Sequence, residues 1–288
     1  MTTHPDGTPV APLPDLRFTE VDGGALGLSG RRLSYMEAGE GPATLLCLHG
    51  IGANSMGWRF VLAGLSDVAR VIAWNAPGYL MSDPFLAERP RAEDYVEAAV
   101  ALLGALGVEG PVHVAGSSFG SMLGACLAAR HPARVASLTL MGTSRGQRWK
   151  GEEGRAAMLA MRKASVAEGG VALARTRSDK LISPRAAPLV LDLVRGMVAA
   201  TNPAGLMQSA QATDQVDVVA DYAPRITAPT LAITGQDDVV NPPDVGRMIA
   251  EAIPGARFLS PEGIGHLPEV EAPAFTLALL RAQIQGDR

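Results

Sequence analysis

Short, continuous runs of Val, Leu and Ile recur along this chain, each closed by turn residues and most followed by a longer helix-like segment. No other feature narrows the choice of fold as far. The runs fall at residues 43–48, 70–74, 112–115, 135–141, 230–234 and, more weakly, 257–259. Rich in Val, Leu and Ile and ended by turn residues, they read as buried strands of a parallel sheet. Helical patterning covers 92–106, 119–130, 242–252 and 272–284. Parallel neighbours need crossovers, and right-handed crossovers through these helices cover both sides of the sheet. Residues 33–37 fit an antiparallel edge strand just upstream. The expected class is α/β, with a mostly parallel sheet and helices on both faces.

One stretch breaks the rhythm. Between residues 141 and 229 the pattern is helical with no convincing strand, too long for a simple connection, so it reads as an insertion. From 150 to 221 it has no Phe, Tyr or Trp but does carry Met158, Met161, Met197 and Met207, material for an adaptable apolar wall. From 145 to 185 it holds ten basic residues against four acidic ones. That excess suits an anionic substrate, with Arg145 and Arg148 nearest the end of a strand. The plainer alternative is the solvated faces of helices.

The whole chain nevertheless carries a net charge of −4, which argues against general nucleic-acid binding. With 288 residues, 47% of them hydrophobic and 19% charged, it can bury a large core without disulfides or metals. Cys47 and Cys126 lie in apolar stretches without zinc spacing, so a reduced, cytoplasmic setting is expected. The opening residues carry Asp6, Asp15 and four prolines, unlike a secretory signal, and read as a flexible or surface-hugging arm. The longest apolar run, 98–108, is about half a bilayer span. Neither a membrane segment nor a cofactor is expected, since metal clusters and phosphate- or dinucleotide-binding glycine loops are missing from the sequence.

The chemistry is concentrated at Gly116, Ser117, Ser118, Phe119 and Gly120. This G-x-S-x-G follows one strand and opens a helix, the context of a nucleophile elbow. A serine there needs a base. Of His4, His49, His113, His131 and His266, only His266 lies in a glycine-rich loop beyond the last strand, where an open parallel sheet places its site. His49 reads as a loop anchor. A carboxylate must orient the base, and Asp237 and Asp238 both follow the strand at 230–234. Asp238 is the choice and Asp237 the reserve. Backbone N–H groups of Phe119 and of Ile51, with Gly52 as the alternative, are the expected oxyanion donors.

These residues resemble the α/β-hydrolase superfamily in a set of landmarks. They are joined by Asn75, Ala76, Pro77, Gly78 and Tyr79 with Ser82, by Gly235 ahead of Asp238, and by Glu271 and Pro273 after Gly265 and His266. The resemblance runs from about Leu33 to the C-terminus. It implies an eight-stranded sheet, a core of residues 21–142 and 221–288, a helical cap at 143–220 and an N-terminal arm at 1–20. Within the superfamily the chain is similar to small esterases, enol-lactone hydrolases and carbon–carbon bond hydrolases. Ser121 stands where a second glycine often follows the elbow, and Leu80 where glycine is usual after Pro-Gly-Tyr. Leu267 stands where many carbon–carbon hydrolases have Trp. The leading expectation is hydrolysis of a small carboxylic ester or lactone through an acyl-enzyme, with Gly52, Arg145, Arg148 and Leu267 near the substrate. A carbon–carbon hydrolase of vinylogous ring-cleavage diketones is the alternative. A cofactor-free oxygenase or lyase, or a non-catalytic ligand receptor, follows.

Overall fold

A strand buried on both faces sends successive side chains into two different cores, and the centre of this protein is built that way. The structure, a computed structural model, describes residues 2–287. Strands β1 (Arg17–Glu20), β2 (Arg32–Ala38), β3 (Ala43–Leu48) and β4 (Ala69–Trp74) precede β5 (Val112–Ser117) and β6 (Val135–Met141). β7 (Thr230–Ile233) and β8 (Arg257–Leu259) follow the insertion. They form one sheet in the order β1-β2-β4-β3-β5-β6-β7-β8, antiparallel at β1/β2 and β2/β4 and parallel elsewhere.

Between these strands lie α1 (Arg59–Gly64), α2 (Ala92–Ala105) and α3 (Phe119–Arg130). Leu46, Leu48, Val112, Val114, Leu138 and Leu140 face one core, shared with α2 and α3. Their neighbours Leu45, Cys47, Ala115, Met141 and Ile233 face the other, against α1 and the last helix.

The insertion between β6 and β7 contains α4 (Gly151–Val166), α5 (Gly170–Arg177), α6 (Pro188–Ala199), α7 (Pro203–Asp214) and α8 (Val218–Asp221). It docks through a third apolar cluster in which Leu173, Val194, Met197 and Leu206 meet Ala53, Phe60 and Val270. α9 (Pro243–Ala252), α10 (Pro268–Glu271) and α11 (Pro273–Gln285) complete the chain.

One expectation changes at the N-terminus. Residues 33–37 are antiparallel as expected but not at the edge, because β1 pairs outside them. β1 reads Arg-Phe-Thr-Glu and stays mostly exposed, so it is held by its backbone ladder and leaves no apolar signature. Of the two readings of the arm, the contacts of His4 and Asp6 fit the surface-hugging one. His4 is buried edge-on against Phe60, and Asp6 Oδ2 accepts the Ala274 N–H at 2.8 Å, clipping the arm to α1 and α11.

Candidate active site

The elbow begins where β5 ends. Ser118 has φ 53° and ψ −113°, a backbone region costly for any side-chain-bearing residue. Its amide donates to Met141 O at the end of β6 (2.8 Å), which holds the turn against the sheet. Two glycines make the crossing possible. A Cβ on Gly120 would sit 1.9 Å from Leu48 O, and one on Gly116 2.2 Å from Gly120 O. Ser121 occupies a place where a glycine often stands in the family it resembles, and there it donates to Ser118 O (2.6 Å) and accepts from the Ser144 N–H (3.0 Å). The hydroxyl thus ties the elbow to the start of the insertion. Leu80 keeps a positive φ of 34° without being glycine.

His266 Nδ1 and Asp238 Oδ2 are 2.7 Å apart, both residues buried. Asp238 Oδ1 accepts the amides of Val240 (2.8 Å) and Asn241 (2.9 Å). With both oxygens engaged, the carboxylate is fixed and presents one lone pair to the imidazole. Asp237 turns outward to Ser183 and Arg185, which separates the two aspartates that sequence left adjacent. Glu271 clamps the histidine loop by accepting the amides of Ser183, Gly265 and Leu267 at 2.7–3.0 Å.

Ser118, His266, Ile51 and Phe119 line one small chamber of about 30 Å³. Among the described residues no hydrogen bond joins Ser118 Oγ to His266; such contacts tighten when substrate enters. The amides of Ile51 and Phe119 donate to no acceptor among the described residues. Gly52 does not line the chamber; its carbonyl accepts the Thr201 hydroxyl at 3.1 Å. His49 Nε2 accepts the Ala76 amide (3.0 Å), so Nδ1–H donates to Gly50 O (2.8 Å). Burial holds this ring neutral, its pKa lowered to about 4, as befits a loop anchor.

Three of the expected substrate contacts are placed differently. Arg145 makes a two-pronged ion pair with Asp217 at 2.8 Å, and Arg148 pairs with Asp221 on the surface. Arg145 still borders the large cavity described below, but with its guanidinium committed. Leu267 packs in the apolar cluster under the insertion, away from the chamber. In the order of the chain an arginine's partner is invisible, because Asp217 lies over seventy residues beyond Arg145. The residues that do border the chamber include Gln147, Arg162, Arg177, Val240 and Asn241. The basic excess of the insertion was the only trace of the two arginines in the sequence.

Glu269 was also missed. Burial pushes its carboxyl from an ordinary 4.5 up to about 7, and its Oε2 has no hydrogen-bond partner among the described residues. Between those two values the folded protein holds a proton that the unfolded chain has released. Stability therefore falls as pH rises toward and through 7, then levels off. Glu269→Gln is expected to remove that fall, worth up to about 3 kcal/mol at pH 8. Denaturant unfolding of both proteins from pH 5 to 8 checks it. Parallel curves would refute it.

The sequence matches the α/β-hydrolase fold family over residues 43–273. The chain belongs to that family. This α/β hydrolase is 27% identical to a 2-hydroxy-6-oxononadienedioate/2-hydroxy-6-oxononatrienedioate hydrolase of Dechloromonas aromatica over 281 residues, 88% of this chain and 90% of the other. A shorter stretch of 134 residues is 34% identical to a hydrolase of the same description from Pseudomonas putida, covering 45% of this chain and 46% of that one. Among solved structures it is similar to the enol-lactonase of Burkholderia xenovorans, with 25% identity, a TM-score of 0.79, and 90% and 98% of the two chains covered. Among the described residues of the α/β hydrolase, no helix is long and apolar enough to cross a membrane.

Proposed function

We propose that Ser118, His266 and Asp238 act as a catalytic triad, with residues 143–220 as a cap, to cleave the carbon–carbon bond beside a ketone in a small vinylogous diketone. The observation that carries the triad is the 2.7 Å contact between His266 and a fully engaged Asp238, with His266 facing the same chamber as Ser118. Carbon–carbon cleavage ranks above the ester or lactone reaction favoured by sequence because relatives described as 2-hydroxy-6-oxononadienedioate/2-hydroxy-6-oxononatrienedioate hydrolases align along 85–88% of this chain.

The chemistry balances with no added reagent but water. Ser118 Oγ adds to the ketone carbon while its proton passes to His266 Nε2, and Asp238 stabilises the resulting imidazolium. The amides of Ile51 and Phe119 donate to the new oxyanion. As the carbonyl re-forms, the carbon–carbon electron pair leaves as an enolate spread into the conjugated second carbonyl. The leaving carbon takes the proton from His266. Water, giving a proton to His266, then attacks the acyl-enzyme, releases the acid and restores Ser118.

Ester or lactone cleavage is the second reading, supported by the similarity to an enol-lactonase. It uses the same groups, with an alkoxide leaving in place of carbon. A panel of vinylogous diketones, short esters and lactones, assayed with wild type and Ser118→Ala, separates the two. The diketones are expected to give the highest kcat/KM. A wild type that turns over esters or lactones while leaving every diketone intact would reverse the ranking.

A further inference from the structure

Two arginines at the chamber lack a counter-ion, and they are not the two that sequence favoured. Arg162 on α4 and Arg177 at the end of α5 line both the chamber holding Ser118 and a larger cavity of about 900 Å³ beyond it. Both are half-buried, whereas Lys163 on α4 and Arg175 on α5 are exposed. Elsewhere in the insertion Arg145, Arg148, Arg155 and Arg185 each pair with an aspartate. Arg162 and Arg177 have no such pair among the described residues, and Arg162 Nη1 is buried with no hydrogen-bond partner at all.

That arrangement costs stability. Burial first, and then the like charge of Arg177, lowers the pKa of Arg162 to about 10; burial also lowers that of Arg177. Both remain charged at neutral pH, so two cations are held together in a poorly solvated place without a partner from the chain. A planar two-oxygen anion matches two guanidinium forks.

We propose that Arg162 and Arg177 form a carboxylate-binding subsite, holding an anionic group of the substrate within a few bonds of the carbonyl that Ser118 attacks. The position of that carbonyl rests on the triad proposed above; the anion site itself does not. The short reach follows from the chamber, whose volume of about 30 Å³ is bordered by the serine and both arginines at once. The rest of the substrate extends into the large cavity, along Met158, Met161 and Ala172.

Binding is tested without turnover, by titrating glutarate calorimetrically into the Ser118→Ala protein. Glutarate is expected to bind, inorganic phosphate to bind more weakly, and adding Arg162→Gln with Arg177→Gln to weaken glutarate at least about tenfold. Specificity is read as the ratio of kcat/KM for mono(4-nitrophenyl) glutarate to that for 4-nitrophenyl pentanoate. The ratio is expected to fall about tenfold or more in the double variant and to hold in Arg148→Gln, whose charge is paired on the surface. Arg177→Lys, which keeps the charge and loses the fork, gives the same comparison if the double variant does not fold. Glutarate binding and an ester ratio both untouched by these changes would overturn the subsite. If neither ester is turned over, glutarate binding alone decides the anion site, and the triad is judged on the diketone panel.

Discussion

Ser118→Ala is expected to lower kcat by about four to six orders of magnitude on any substrate the enzyme accepts. In the proposed mechanism the serine supplies the only bond to the acyl group, and neither His266 nor the proposed oxyanion donors can replace it. His266→Ala should approach the same loss. Asp238→Asn should be milder, because the amide still occupies the place that orients the ring but no longer stabilises its positive charge. Since Ser118 is partly exposed to the chamber and its side chain makes no hydrogen bond within the described residues, the alanine variant should fold normally. Measuring kcat and thermal unfolding on one preparation separates chemistry from misfolding. Near-normal turnover in a folded Ser118→Ala protein would remove the triad from the mechanism.

Gly120→Ala carries the largest expected effect on stability. The added methyl would lie 1.9 Å from Leu48 O and 2.4 Å from Leu48 C, both backbone atoms at the end of β3, just before the loop that carries Ile51. No rotamer relieves a backbone clash, so α3 must shift away from β3 or the elbow must open. The expected loss is about 3 kcal/mol or more. Against the few kcal/mol of stability of a typical protein, that lowers Tm by roughly 6–12 °C. Gly104→Ala is the matched control. It lies inside α2 with nothing within 4 Å of the new methyl and should stabilise by about 0.5–1 kcal/mol. Calorimetry of both variants tests the comparison, and an unshifted Tm for Gly120→Ala would show that the crossing is looser than its geometry.

The sequence alone was enough for the sheet interior. Leu45 through Leu48 are apolar at every step, and only a strand with a core on each side uses such a run. β1 was missed for the opposite reason: three of its four residues are polar, and its energy lies in hydrogen bonds that any sequence can make. The same contrast runs through the active centre. Ser118 could be read because the tight turn it sits on demands glycines at fixed local spacing. His266 could be read because its loop follows the last strand. Choosing Asp238 over Asp237 needed only chemistry until two candidates stood side by side; the coordinates then showed which carboxylate faces the ring.

The cationic insertion marks where local information ended. Arg145, Arg148, Arg162 and Arg177 are equivalent as letters. The fold gives the first two to Asp217 and Asp221 and leaves the last two facing the chamber that Ser118 and His266 line. A residue's type and its near neighbours fix backbone shape, periodicity and the glycines of a tight turn, since those depend on forces acting over a few bonds. Which charges meet depends on helices distant in the chain packing together, so pairing, burial and the shifted acidity of Glu269 belong to the tertiary structure.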